Sequence, residues 1–119
     1  MSIKLAIVDD NTFLTKAIKD KLDFFDEIII KWSAMDGSQA LAKLEENHNL
    51  DIILMDIEMP VLNGIETTQM VKQKYPHIKI VMLTVFDNDE NIFKAIQAGA
   101  DGYLLKEVNP EDLYNGIKE

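Results

Sequence analysis

The sequence predicts an α/β fold: a doubly wound, five-stranded parallel sheet with helices on both faces. Two observations carry this. Five short aliphatic runs recur along the chain, mostly without the strict alternation of a half-exposed strand, as expected of parallel strands covered on both sides. The segments between them carry helical spacing, and strands alternating with helices demand right-handed crossovers.

The first run, IKLAIV (3–8), leads into a stripe formed by Phe13, Leu14, Ala17, Ile18, Leu22 and Phe25, which predicts a first helix with that face on the core. EIIIKW (27–32) is the second strand, ended by Trp32, and Ser38 is placed to cap the second helix. DIILM (51–55) is the third strand, and Asn63 caps the third helix. KIVML (79–83) precedes a fourth helix with Ile92, Ala95, Ile96 and Gly99 on one stripe. GYLL (102–105) is the last strand. Asn109 then caps a fifth helix with Pro110 in its first position and Glu111 and Asp112 in its positively polarised first turn. Leu113 and Ile117 are spaced to face the core. The pattern is still running at Glu119, so a longer parent protein is expected.

A chain of 119 residues fits one domain and is long enough to bury a core without staples. There is no cysteine, which removes disulfides and thiolate metal sites. The N-terminus lacks a signal-peptide pattern and no apolar run is long enough to span a bilayer, so a soluble, cytoplasmic protein without membrane contact is expected. With 21 acidic against 12 basic residues the net charge is −9, which argues against direct nucleic-acid binding by this domain.

In a sheet of this kind ligands bind beyond the carboxyl ends of the strands. There the first strand delivers Asp9 and Asp10, the third Asp56, the fourth Thr84 and the fifth Lys106. Each has a plainer reading. The acidic pair with Asn11 could cap a helix, Asp56 could open a turn, Thr84 could be a polar strand end and Lys106 a solvated amine. Their convergence on one edge outweighs these. Three carboxylates brought together repel one another, and a hard divalent cation such as Mg²⁺, bound through oxygen, relieves that. Such an ion keeps positions for a phosphate oxygen. Asp56 at a rigid strand tip is placed as a nucleophile toward phosphorus, with metal, the Lys106 ammonium and the Thr84 hydroxyl holding the phosphoryl oxygens.

The stretches IVDDN (7–11), DIILMDIEMPVLNGIE (51–66), VMLTVF (81–86) and AGADGYLLKE (98–107), in this order and spacing, carry a resemblance. The chain resembles the receiver domain of two-component response regulators over its full length, 1–119. The resemblance implies a flavodoxin-like fold with strand order 2-1-3-4-5. It implies Asp56 as phosphoacceptor, Asp9 and Asp10 as the Mg²⁺-binding pair, a backbone carbonyl at Glu58 completing the metal site, Thr84 and Tyr103 as switch residues, and Lys106 as the phosphoryl-binding lysine. Pro60 and Gly64 shape the turn into the third helix.

It also implies a sensor histidine kinase or phosphotransfer protein as donor. The domain is then a phosphoacceptor that assists its own phosphorylation and dephosphorylation rather than a turnover enzyme. LTVFDND and the Lys106-Glu107 pair resemble receivers joined to a C-terminal DNA-binding helix-turn-helix output domain that controls transcription. Three positions depart from the commonest pattern: Glu107 stands where many receivers have proline, Val85 is bulkier than usual, and Glu58 adds an acid at the rim.

On phosphorylation Thr84 is expected to move inward and Tyr103 to exchange an exposed ring position for a buried one. The altered surface would promote association with a second receiver or with the output domain. Competing readings are a flavin carrier, whose first loop should be rich in Ser, Thr and Gly rather than Asp-Asp-Asn; an Asp-nucleophile phosphatase; and a phosphorylation-independent interaction module. Trp32 is read as packing, the methionines as core fillers, and His48 and His77 as loop residues far from the acidic cluster.

Overall fold

Ile, Leu, Val and Met make up most of the central strands because both faces of a parallel sheet are covered. The computed structural model describes residues 2–57, 59, 62–84, 89–105 and 109–118, with the side chains of Thr84, Asp89 and Asn91 outside that description. The chain alternates β1 (Ile3–Val8), α1 (Thr12–Leu22), β2 (Ile28–Ala34), α2 (Gly37–Glu46), β3 (Ile52–Met55), α3 (Gly64–Lys74), β4 (Lys79–Thr84), α4 (Asp89–Ala98), β5 (Gly102–Leu105) and α5 (Pro110–Lys118). All paired strands are parallel and the order is β2-β1-β3-β4-β5, as expected.

Side chains alternate across each strand and so divide the core in two. Leu5, Ile7, Ile52, Leu54, Val81 and Leu83 pack with Ile18 and Leu22 of α1 and Leu113 and Ile117 of α5. Ala6, Val8, Ile53, Met55, Ile80 and Met82 point the other way, toward Ala40 and Leu44 of α2, Val71 of α3 and Ala95 of α4. The four residues of β3 are all buried, whereas β2, on an edge, alternates between half-buried and exposed residues over 28–31.

Several local expectations change. β2 continues past Trp32, because Ser33 and Ala34 still pair with Ile7 and Val8. A register shift between Leu5 and Ala6 leaves Lys31 as an extra residue in β2. Trp32 packs against the core as expected, and its buried Nε1 makes no hydrogen bond among the described residues. Asp36, not Ser38, caps α2: its carboxylate accepts the Gln39 N–H at 2.9 Å, and the Gln39 side chain reaches back to the Met35 N–H at 3.0 Å. This is a capping box displaced by one residue.

Phe13 and Ile96, assigned to core stripes, are 82% and 61% exposed. Buried Thr15 and Ala98 take the inward positions on their helices instead. Gly99, with φ 109°, lies just past the end of α4 rather than on its stripe. Met55 and Met82 fill the core, but Met35 and Met70 are half exposed. Asn63 and Asn109 are caps as expected, accepting the Glu66 and Asp112 N–H groups at 2.9 and 2.8 Å.

The sheet edge carrying the strand starts is tied by one ion pair. Lys72 Nζ meets Asp101 Oδ2 at 2.7 Å and donates to the Ile78 carbonyl at 2.9 Å. The same Asp101 oxygen accepts the Ile80 N–H at 2.9 Å, and the Asp101 N–H donates to the Ile80 carbonyl at 2.7 Å. Removing Asp101 leaves the N–H of fully buried Ile80 without that acceptor. Asp101→Ala is therefore expected to lower the unfolding free energy by about 2 kcal/mol in urea titrations. Lys94→Ala, which breaks an exposed helical pair with Glu90, should cost no more than about 0.5 kcal/mol. Equal losses would show that Asp101 is only a surface charge.

Candidate functional site

The site follows from the ladder between β1 and β3. Val8 pairs with Met55, and hydrogen bonding continues one residue further, the Asp56 N–H donating to the Val8 carbonyl at 2.8 Å. The residues that follow these partners, Asp9 and Asp56, therefore stand at adjacent strand tips. On the far side of β1 the Asp9 N–H donates to the Ala34 carbonyl of β2 at 3.0 Å. Backbone bonding on both sides thus holds the tip of β1.

One carboxylate oxygen from each of Asp9, Asp10 and Asp56 lies within 4.8 Å of the others. Among the described residues no other group of three acidic or histidine side chains is gathered in this way. Asp9 and Asp56 are buried, at 3% and 7% exposure, while Asp10 is exposed. Two carboxylates withdrawn from water beside a third have a high desolvation and repulsion cost unless cations or donors answer them. The Asn11 N–H is one such donor, bonding Asp9 Oδ1 at 2.9 Å. Helix capping is not the pair's role, since the Asn11 side chain itself caps α1, accepting from Phe13 and Leu14 at 3.1 Å each.

The donor set is all oxygen, open to solvent on the Asp10 side, and fits a hard divalent cation that keeps part of its water shell. On the other side of Asp56 the chain turns into α3 at very short range. The Gly64 N–H donates to the Ile57 carbonyl at 2.8 Å, and a Cβ on Gly64 would lie 1.9 Å from the Asp56 carbonyl oxygen. Glycine is the residue that permits this approach. The start of α3 is thereby pressed against the residue bearing the candidate nucleophile.

The remaining predicted site residues divide into two groups. Thr84 ends β4, its backbone opposite Leu105 and two residues past Met82, the partner of Met55. Tyr103 pairs with Met82 and is half-buried, packed against the core cluster that includes Ala95 of α4. Its ring is thus already partly covered, not exposed as expected, because the α4 side of the sheet offers apolar surface at that position. Glu58, Pro60, Val85, Lys106 and Glu107 lie outside the described residues. His48 and His77 sit in the loops before β3 and β4, at the sheet edge opposite the acidic cluster, as expected. They contact each other there, with ring centroids 6.3 Å apart.

Sequence reasoning missed Asp36 and Gly37, which lie at the junction between β2 and α2. The Asp-x-x-Gln spacing of a capping box was the available signal for Asp36; Gly37 gave none.

Comparison with known proteins agrees with this geometry. A family model described as the response regulator receiver domain matches residues 5–118. The transcriptional regulatory protein DegU of Brevibacillus brevis is 35% identical over 98% of this chain and 49% of its own length. The nitrate/nitrite response regulator protein NarL of Escherichia coli K12 is 33% identical over 97% of the chain and 53% of its own. This chain spans about half the length of these curated relatives.

Among solved structures, a CheY-like response regulator receiver domain protein from Methanospirillum hungatei superposes with TM-score 0.85 at 34% identity, covering 99% of this chain and 92% of that one. A DNA-binding response regulator of the LuxR family from Staphylococcus aureus superposes with TM-score 0.89 at 28% identity, over 98% and 96%. With the family model covering nearly the whole sequence and the acidic cluster at the strand tips, the chain belongs to the response regulator receiver domain family.

Proposed function

We propose that Asp56 accepts a phosphoryl group from a phosphohistidine of a sensor kinase or phosphotransfer protein, and that Asp9, Asp10 and Asp56 hold a Mg²⁺ ion for the transfer. The observation that carries this is the convergence of three carboxylates within 4.8 Å at adjacent strand tips in a receiver-family chain. When bound, Mg²⁺ would supply charge neutralisation for the incoming phosphoryl oxygens.

The residues of the chain do the rest. Backbone hydrogen bonds from Asp56 to Val8 and from Asp9 to Ala34 keep the carboxylates from separating under their mutual repulsion. An Asp56 carboxylate oxygen attacks phosphorus, an acyl-phosphate O–P bond forms, the P–N bond to the donor imidazole breaks, and the imidazole leaves with its electron pair and takes a proton. Lys106 follows β5 by one residue and is assigned to the phosphoryl oxygens. Glu58, two residues past Asp56, is assigned to the metal through its carbonyl.

The Thr84 hydroxyl gains a charge-assisted hydrogen bond only when phosphoryl oxygens are present, so the phosphorylated state favours its inward position. Tyr103 then moves deeper from its half-buried place, changing the surface around α4 and β5. Relatives of about twice this length are named as transcriptional regulatory proteins. In its parent protein this receiver accordingly controls transcription through a DNA-binding output domain, with phosphorylation promoting pairing of receivers.

Intact mass after incubation with a small acyl phosphate and Mg²⁺ tests the central step. Wild type should gain one phosphoryl group and Asp56→Asn none; a stable gain in the variant would remove Asp56 from the role. Asp10→Asn should weaken Mg²⁺ binding in calorimetry by at least about tenfold, the loss that removal of even an outer-shell partner brings. It should also leave the metal-free protein at least as stable as wild type, because it relieves repulsion. Unchanged affinity would take Asp10 out of the site. For the switch, Thr84→Ala and Tyr103→Ala, modified on Asp56, should each lose the amide shift changes that wild type shows in α4 and β5. Shift changes identical to wild type in both would defeat the coupled move.

A further inference from the structure

Gly37 bears no functional group, yet it lies where three parts of the site meet. Two residues back from the Asp36 cap, the Ala34 carbonyl accepts the Asp9 N–H at 3.0 Å; one residue on, the Gly37 N–H donates to the Leu62 carbonyl at 3.2 Å. A segment of four residues, 34–37, thus holds the backbone on both sides of the carboxylate cluster. The contact with Leu62 leaves no room for a side chain at position 37. A Cβ on residue 37 would stand 2.8 Å from the Leu62 carbonyl oxygen, 3.0 Å from Leu62 Cβ and 1.9 Å from Thr67 Oγ1.

Thr67 has little room to yield. It is fully buried, and its hydroxyl donates to the Asn63 carbonyl at 2.7 Å. Relieving the clash therefore moves Leu62 and Thr67 together, and with them Asn63, the cap of α3, and Gly64, whose backbone abuts the Asp56 carbonyl.

We propose that Gly37 is a positioning residue for the phosphoacceptor site: by admitting Leu62 at hydrogen-bond distance it sets where the start of α3, and hence Asp56, stands relative to Asp9. The inference rests on the function proposed above and adds a residue from the second helix to it. Metal coordination depends on distances between ligands held by separate strands, so a small displacement of Asp56 against Asp9 costs affinity even when the fold survives.

The two consequences of a side chain at position 37, lost packing and a moved Asp56, can be separated. Thr67→Ala deletes the atom that a methyl group at position 37 would strike hardest but leaves the Leu62 contact in place. It also leaves the Asn63 carbonyl bonded to the residue-67 N–H, at 3.0 Å. Four proteins are compared by urea midpoint, Mg²⁺ titration and the rate of mass gain with acyl phosphate: wild type, Thr67→Ala, Gly37→Ala and Gly37→Ala/Thr67→Ala. The double variant is expected to recover much of the midpoint that Gly37→Ala loses, yet to bind Mg²⁺ about tenfold more weakly than Thr67→Ala and to be phosphorylated more slowly by a similar factor. Mg²⁺ affinity and rate equal to those of Thr67→Ala would overturn the proposal and leave Gly37 a packing residue.

If neither Gly37 variant folds, amide exchange in wild type decides. Mg²⁺ at ten times its dissociation constant should slow exchange of the Gly37 N–H about tenfold, since opening this contact and binding metal exclude each other. The Asn47 N–H, at the far end of the same helix, should be unaffected. No slowing at Gly37, or equal slowing at both, would overturn the proposal. A wild type that binds no Mg²⁺ at all would instead remove the site reading on which it rests.

Discussion

The hydrogen bond from the Asp56 N–H to the Val8 carbonyl, one residue beyond the last pair of the β1–β3 ladder, is the constraint on which the site depends. A parallel ladder fixes the relative height of its strands, and a slip of one residue would turn Asp56 to the other face of the sheet. With Val8 opposite Met55 the next residue on each strand is an aspartate, and the two cannot avoid each other. The repulsion is set against a sheet that buries Leu5, Ala6, Ile7 and Val8 on one strand and Ile52 to Met55 on the other. Burial of a single such side chain contributes about 2 kcal/mol, so the register is held by far more than one carboxylate pair can oppose.

The two edges of the sheet are built differently. At the strand starts, Lys72 and Asp101 tie α3, the beginning of β4 and the approach to β5 with an ion pair and three hydrogen bonds. At the strand ends, like charges gather and helices approach through glycine. The strand-start edge is thus joined by charged and polar side-chain contacts, and the strand-end edge by backbone contacts. Tyr103 lies between the two, two residues from Asp101 and across the ladder from Met82.

Much of this was legible in the sequence, for local reasons. Aliphatic runs bounded by polar residues read as strands, and Asn63, Asn109 and Pro110 read as helix starts because capping is a property of a few neighbouring residues. The acidic residues at the strand ends could be listed from the same reading. The strand order came from the resemblance to a family, since periodicity carries no information about which strands are neighbours. Local reading also failed in local ways. A helical stripe does not reveal which of its members turns to the sheet: Phe13 and Ile96 are exposed, and Thr15 and Ala98 lie inward instead. Trp32 looked terminal because polarity changes after it, although Ser33 and Ala34 continue the ladder through their backbone.

By itself the sequence determined the number and kind of elements, the charge at the strand ends and the all-oxygen chemistry of the acidic residues, because side-chain identity and short-range spacing decide these. Only the tertiary structure decided that Asp9 and Asp56 both follow the last rung of one ladder, that Lys72 pairs with Asp101, and that Gly37 meets Leu62 and Thr67. Each of these joins residues about 25 to 50 positions apart through backbone register or steric fit. Such contacts exist only once the sheet has assembled, and a glycine whose role is to leave room carries no mark of its neighbour in the sequence.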